Sequence, residues 1–329
     1  MTMKMRRLGS EGLEVSAIGL GCMVMPGFYT PGNEDECIAT LHRAADIGVN
    51  FLDSSDLYGF GKNEEFLGRA ITGRRNDFII ATKFGNVRDA DGNPDVDGRP
   101  DYVFQACDAS LKRLGLDEVD LYYQHRVDPK VPIEETVGAM ADLVKQGKTK
   151  YLGLSEAAPD TIRRAHSVHP ITVLQSEYSL WTREDEDDLL PLCAELGIGY
   201  VAYSPLGRGI FGGDIKGEEI LSETDRRRDH PRFQGENLEN NLKLVAPVIK
   251  ISEAKGCSPA QIALAWILSR GDQIVPIPGT RRIDHLESNA AAVNIDLTKD
   301  ELEALDGALP PGAAAGTRYP AGGMKWLKR

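Results

Sequence analysis

A single parallel (β/α)8 barrel, an α/β fold of the TIM-barrel type, is the fold class predicted for this chain, and three observations predict it. Eight short apolar runs recur along the sequence, each followed after a polar turn by a segment of helical period. The 329 residues exceed the roughly 250 of a typical barrel, yet no Pro-, Gly- or Ser-rich linker divides them, so one domain spanning residues 1–329 is expected. With 41% hydrophobic residues the composition is that of an ordinary globular protein rather than a disordered, collagenous or disulfide-rich chain.

The eight runs are Val15–Leu20, Val49–Asp53, Phe78–Lys83, Val119–Tyr123, Tyr151–Ser155, Val173–Gln175, Ile198–Tyr203 and Ile274–Ile277. Strands covered on both faces need apolar residues throughout, which is why they read as runs rather than alternations. Ahead of them, Met1–Gly12 is expected to form a hairpin turning at Ser10-Glu11-Gly12 and plugging the barrel floor. Asn33 to Gly48 carries an apolar stripe of Ile38, Leu41, Ala44 and Ala45, and Ile133 to Gly147 ends on Lys145-Gln146-Gly147; both read as helices. Ser258-Pro259 is an N-cap followed by Pro in the first turn. Ser204 to about Glu236 is too long and too aperiodic for a plain connection, as functional lids often are. Helices are expected near Ile283–Ala292 and Lys299–Leu309. Gly312–Gly316 has a flexible composition, whereas Thr317–Pro320 and Met324–Trp326 are expected to pack back.

Charge and cysteine usage exclude several partners. Lys plus Arg number 38 against 50 Asp plus Glu, for a formal charge of −12, which disfavours binding to a phosphate backbone. The one basic cluster, Arg226-Arg227-Arg228, sits among Glu223, Asp225 and Asp229 and reads as a solvated loop. Five widely spaced cysteines without a CxxC pair indicate neither a disulfide framework nor a zinc site, so no metal is expected. No run approaches the roughly 20 apolar residues of a membrane span. The first seven residues lead into a polar stretch rather than the apolar core of a signal peptide, and a cytoplasmic location is expected.

In an eight-fold barrel the chemistry sits at the C-terminal ends of the strands. The polar residues there are Asp53, Lys83, His125, Ser155, Gln175 and Tyr203-Ser204, with Tyr58 five residues beyond Asp53 in a Gly-rich turn. Singly, each has a structural explanation as a cap, a snorkelling cation or a loop aromatic. Together, a carboxylate, a phenol, an amine and an imidazole at one mouth form a proton-transfer set. An ammonium beside the phenol stabilises the phenolate and makes it a better acid at neutral pH. Asp53 would hold Lys83 charged, and His125 would orient a carbonyl oxygen toward Tyr58.

At these residues the sequence resembles the aldo-keto reductases. Matching stretches are Leu20-Gly21-Cys22-Met23, Asn50 to Gly59, Asn63 to Gly68, Ala81 to Gly85, Asp117 to His125, Gly153-Leu154-Ser155, Tyr203 to Gly209 and Pro276 to Thr280. The branch with His-Arg and Ser-Glu-Ala motifs, found in bacteria, fungi and plants, is similar to Gln124-His125-Arg126 and Ser155-Glu156-Ala157. The resemblance implies Asp53, Tyr58, Lys83 and His125 as catalytic residues of an NADP(H)-dependent reduction of an aldehyde or ketone. It also implies that Tyr203 stacks on the nicotinamide, that Ser155 and Gln175 bond its carboxamide, and that Ser204, Leu206 and Gly209 meet the pyrophosphate. The adenosine end would fall on the stretch from Gly279 to Arg282, where Thr280 and Arg281 would hold the 2′-phosphate, with Asn289 near the adenine.

Two positions depart from the pattern. Many members have Asn where this chain has Glu156, and some place an acidic residue at the position of Ser288. Candidate substrate contacts are Met23, Val24, Tyr29, Phe84, Arg126 and Trp181, a mostly apolar set in which Arg126 would read a polar or anionic tail. Arg318 and Tyr319 are further candidates to cap the pocket. Two other functions remain open at this point. One is a regulatory cofactor-binding subunit, as the potassium-channel β-subunits of this superfamily are, with only residual reductase activity. The other is a barrel isomerase or aldolase using Lys83 as a Schiff-base nucleophile, against which the neighbouring Asp53 speaks. The oligomeric state is not readable.

Overall fold

Residues 3–26, 33–213, 215–217, 221, 223 and 225–328 are described by the computed structural model. The chain opens with an antiparallel hairpin of β1 (Met5–Leu8) and β2 (Leu13–Ser16), in which Met5 pairs with Ser16 and Leu8 with Leu13. The barrel follows as β3 (Leu20–Gly21), β4 (Phe51–Asp53) and β5 (Ile79–Phe84). After a small outlying hairpin of β6 (Asn86–Arg88) and β7 (Pro94–Val96), which no apolar run announces in the sequence, it continues. The remaining barrel strands are β8 (Val119–Gln124), β9 (Thr149–Ser155), β10 (Val173–Glu177), β11 (Gly199–Tyr203) and β12 (Ile274–Pro276).

These eight strands pair in parallel in the order β3-β4-β5-β8-β9-β10-β11-β12. The two edges of the sheet meet, because the amides of Gly19 and Gly21 donate to the carbonyls of Pro276 (3.0 Å) and Pro278 (3.3 Å). Around the sheet run α1 (Glu34–Asp46), α2 (Lys62–Ala70), α3 (Pro100–Leu114), α4 (Ile133–Lys145), α5 (Pro159–Val168) and α6 (Leu189–Leu196). The chain then forms α7 (Gly235–Lys243), α8 (Ala246–Lys255), α9 (Pro259–Leu268), α10 (Ile283–Ala291) and α11 (Lys299–Ala308). Their ends follow the expected chemistry. Asn33 caps α1 by accepting from the Asp35 amide, and Ser258 and Gln261 form a reciprocal capping box on α9. No helix among the described residues is long and apolar enough to cross a membrane.

The expected hairpin plug is present, but its second strand includes Val15 and Ser16, which the sequence reading had given to the barrel. A continuous apolar run cannot reveal a reversal of direction inside it. Here the chain leaves the hairpin because the Ser16 amide donates to Asn50 Oδ1 (2.8 Å) and the Ser16 hydroxyl to the Ile18 carbonyl (2.7 Å). Leu8, Leu13 and Val15 are buried against Phe51, Ala81, Leu121, Val173, Val201 and Val275 at the barrel floor. Burying each such side chain contributes about 1.5–3 kcal/mol. Gly9 makes the fit possible: it has φ +70°, and a Cβ there would lie 2.5 Å from the Thr172 carbonyl oxygen.

Beyond β11 the described parts of the long connection are packed rather than loose, with Ile210, Phe211 and Phe233 buried. The basic cluster also belongs to this packing. Arg227 pairs with Asp225 and donates to the Arg208 carbonyl (3.1 Å), while Arg228 donates to the Leu221 carbonyl (2.6 Å).

Candidate active site

The barrel interior changes character from floor to mouth because side chains alternate across each strand. Phe51 points inward on β4 and two residues later Asp53 does; on β5 the inward series runs Ile79, Ala81, Lys83. On β8 it runs Leu121, Tyr123 and then His125, on β10 Val173 then Gln175, and on β11 Val201 then Tyr203. The apolar members fill the floor with the hairpin, and the polar members lie at the C-terminal mouth. Period two therefore gathers side chains scattered from residue 53 to residue 203.

Asp53 and Lys83 are both buried and form an ion pair through Asp53 Oδ1. Gln175 Nε2 donates to the other carboxylate oxygen (2.8 Å), so Asp53 has partners on both sides. The Lys83 ammonium also donates to the Ser54 carbonyl (2.8 Å) and the Tyr58 hydroxyl (3.4 Å), which uses all three of its protons. Burial pulls the Lys83 pKa down while Asp53 opposes that pull. Tyr58 is 8% exposed and stands on the turn between β4 and α2. Asn63 locks that turn: its carbonyl oxygen accepts from Ser54 (2.8 Å), and its amide donates to the Cys22 (2.9 Å) and Pro26 (3.3 Å) carbonyls.

The His125 ring stands edge-on to Tyr58, with centroids 6.1 Å apart. Ser55 Oγ lies 3.1 Å from His125 Nδ1, a second contact that the sequence reading missed. Burial first, then Arg126 and Lys83, push the imidazole pKa well below its ordinary value, so the ring is neutral. In the tautomer that carries its proton on Nε2, Nδ1 accepts from the Ser55 hydroxyl and the Nε2 proton is free for a substrate oxygen.

The next residue, Asp56, has a carboxyl pushed up to about 7 by burial and by Glu64, with Arg113 opposing. It thus holds a proton in the folded chain across the interval from 3.8 to about 7 in which the unfolded chain is ionised. This group's contribution to stability falls as pH rises through that window. Against an Asp56→Asn variant, the wild type should lose stability progressively in denaturant titrations made from about pH 4 to pH 7. A stability difference independent of pH would show that Asp56 is ionised in the fold.

The other sequence candidates fall into three groups. Ser155 and Tyr203 join the mouth: the Ser155 hydroxyl accepts from Arg126 Nη1 (3.1 Å), and Tyr203 donates to Glu156 (2.8 Å). Ser204, Leu206 and Gly209 lie on the turn leaving β11, where Ser204, Gly207, Arg208 and Gly209 all have positive φ. Gly209 faces a cation, since a Cβ there would lie 3.1 Å from Arg227 Nη1. Gly279, Thr280 and Arg281 follow β12, Gly279 against the Gly21 carbonyl, and Asn289 is buried in α10.

The substrate candidates separate most clearly. Arg126 is held at the mouth by its bonds to the His125 carbonyl (2.6 Å) and Ser155. Met23 is half-buried in the turn Cys22–Val24 after β3. Phe84 does not reach the mouth: it follows Lys83, so alternation sends it outward, where it stacks on Tyr122 at 5.0 Å in the layer between strands and helices. Trp181 is buried below the long connection, between Phe211 and Phe233 and under the Arg232 guanidinium (4.9 Å). Tyr29 lies outside the described residues. Arg318 and Tyr319 do reach the mouth, through Glu156 and Tyr203 respectively.

This geometry has counterparts in known proteins. Residues 17–310 match the model of the aldo/keto reductase family. The chain belongs to that family. A soybean (Glycine max) relative described as probable aldo-keto reductase 1 is 47% identical over 317 residues, covering 95% of this chain and 91% of the relative. Among solved structures, the glycerol dehydrogenase of Gluconobacter oxydans superposes with a TM-score of 0.85 at 29% identity, covering 94% of this chain and 96% of its own. An aldo/keto reductase from Klebsiella pneumoniae, solved in complex with NADP and acetate, superposes with a TM-score of 0.73 at 29% identity, covering 97% and 99%. As an aldo/keto reductase the protein is an oxidoreductase, and its fold is the family's (β/α)8 barrel.

Proposed function

We propose that this aldo/keto reductase uses NADPH to reduce aldehydes or ketones to alcohols, with Tyr58 as the proton donor. The observation that carries the reading is the buried cluster in which Lys83 touches both Asp53 and the Tyr58 hydroxyl beside a neutral His125. The hydride would come from the reduced nicotinamide. The protein's part is to place a carbonyl oxygen and deliver a proton to it. His125 Nε2 donates to that oxygen and Tyr58 transfers its phenolic proton as the alkoxide forms. Lys83 then faces a phenolate, whose charge its ammonium stabilises. The same ion pair argues against a Schiff-base role for Lys83, since every ammonium proton already has an acceptor.

The residues along the mouth suit the cofactor. Ser155 and Gln175 offer neutral donors and acceptors for an amide. The turn at Ser204–Gly209 presents backbone beside Arg227, and a side chain at position 209 would fill the space in front of that guanidinium. Arg227 is a residue that the sequence reading left among solvated charges. Thr280 and Arg281 would take the 2′-phosphate and Asn289 would lie near the adenine; the complex of the Klebsiella relative with NADP supports NADP as the cofactor. Arg126, beside Tyr58 and His125, would meet a polar group on the substrate.

The first test follows loss of reduced nicotinamide absorbance with NADPH or NADH and a panel of aromatic and aliphatic aldehydes. Rapid NADPH loss with an aldehyde is expected. Tight NADPH binding without appreciable turnover would overturn the reductase reading in favour of a regulatory role. In the same assay Arg281→Ala should raise KM for NADPH about ten- to a hundredfold more than KM for NADH, because one charge-assisted phosphate contact contributes roughly 1.5–3 kcal/mol. Equal effects would remove Arg281 from the 2′-phosphate site.

A further inference from the structure

Glu156 occupies a position unlike that of any other carboxylate at the mouth. It follows Ser155 directly, is fully buried, and adopts a left-handed backbone conformation (φ +54°), which a non-glycine residue keeps only where its surroundings impose it. Its Oε1 accepts from the Ser176 hydroxyl (3.3 Å), the Glu177 amide (3.1 Å), the Tyr203 hydroxyl (2.8 Å) and Arg318 Nη1 (3.1 Å). Arg318 Nη2 reaches Oε2 (3.3 Å) from 162 positions along the chain. Burial opposes ionisation of this carboxyl, but Arg318 and then Arg126 outweigh it and hold the group below the ordinary carboxylate value.

The segment bearing Arg318 is tied across the mouth at several points. The Ala315 amide and carbonyl exchange bonds with the Asn241 side chain (2.8 and 2.9 Å), and Arg232 donates to the Gly316 carbonyl (3.4 Å). His230 Nδ1 lies 3.0 Å from the Arg318 carbonyl. The Tyr319 hydroxyl lies 3.1 Å from that of Tyr203, and its ring lies under the Arg208 guanidinium (4.8 Å), which itself pairs with buried Glu177 (3.1 Å). Residues 315–319 thus bridge the long connection after β11 to the ends of β9 and β11. On either side of Ala315, Gly312 and Gly316 have φ of +80° and +85°, conformations that glycine enters and leaves easily.

We propose that Glu156 is a positioning residue that orients Tyr203 and latches the C-terminal segment 315–319 through Arg318, so that this segment is the movable cover of the nicotinamide site. The inference rests on the reading of Tyr203 as the nicotinamide-stacking residue. Glu156 gives the cover a charged anchor in the barrel. Release of the Arg318 pair frees Tyr319 from Tyr203 and opens the mouth for cofactor exchange.

Hydrogen exchange followed by mass spectrometry on the protein without nucleotide tests the latch directly. Amides of 315–319 should exchange at least tenfold faster in Arg318→Gln and in Glu156→Gln than in the wild type, with barrel-strand amides unchanged, and Arg318→Lys should restore most of the protection. NADPH dissociation measured by stopped-flow fluorescence should accelerate at least tenfold in Arg318→Gln, a substitution confined to the tail. Unchanged exchange at 315–319, or faster exchange with an unchanged dissociation rate, would overturn the proposal. Wild-type protein that binds NADPH but reduces no aldehyde would overturn the reductase reading alone, since exchange and dissociation still decide the latch. Failure of the wild type to bind NADPH would overturn both.

Discussion

Tyr58→Phe is expected to lower aldehyde turnover by about 10²- to 10⁴-fold while leaving NADPH affinity within about threefold, the span that loss of a positioned general acid commonly produces. The substitution deletes only the hydroxyl that Lys83 Nζ approaches at 3.4 Å. The ring keeps its packing against His125 and its place on the turn locked by Asn63. Folding stability should therefore change by no more than about 1 kcal/mol, the usual net contribution of one hydrogen bond. Nucleotide fluorescence titration and single-turnover absorbance separate binding from chemistry, and normal turnover in this variant would mean that the proton comes from another group.

Lys83→Met should be the more damaging change, because it strands a buried carboxylate as well as removing the phenol's partner. Breaking a buried ion pair by deleting one member costs about 3–5 kcal/mol, since the remaining buried charge loses its compensation. Among the described residues, Asp53 would retain the Gln175 amide as its side-chain donor. The double variant Asp53→Asn, Lys83→Met removes both charges and should recover most of that stability in denaturant titrations, while turnover stays as low as in the single variant. Two outcomes would refute the argument. One is additive destabilisation in the double variant, and the other is recovery of activity together with stability, since the pair is needed for the acidity of Tyr58 and not only for the fold.

The candidate site was legible where chemistry coincides with strand periodicity. Asp53, Lys83, His125, Gln175 and Tyr203 each stand at or just past the end of an apolar run, and period two then brings them inside the barrel with no further information. The same rule places Phe84 outside, one residue beyond Lys83, although its apolar character had drawn it into the substrate list. Trp181 failed for a different reason: an aromatic next to a strand end serves equally well as packing, and its neighbours Phe211, Phe233 and Arg232 arrive from a connection whose path no local pattern encodes. Ser55 and Arg227 carry no role in the sequence reading, and Arg318 stands there as a cap for the pocket without its partner Glu156, for related reasons. Their partners are set by loop geometry or lie far away in the chain, and no period links positions 156 and 318.

Sequence by itself determined the alternation of strand and helix, the burial of the strands on both faces and the polar character of their C-terminal ends, because these follow from local propensity and the two-residue repeat of a strand. It did not determine that Val15 and Ser16 turn back into the floor hairpin, since an apolar run reads alike in a plug strand and a barrel strand. Nor did it determine that a buried glutamate at the end of the fifth barrel strand, β9, would be met by an arginine from the C-terminal segment. A buried charge tolerates burial only when another charge answers it. Which residue answers is decided by the closing of the barrel and the path of the chain across its mouth.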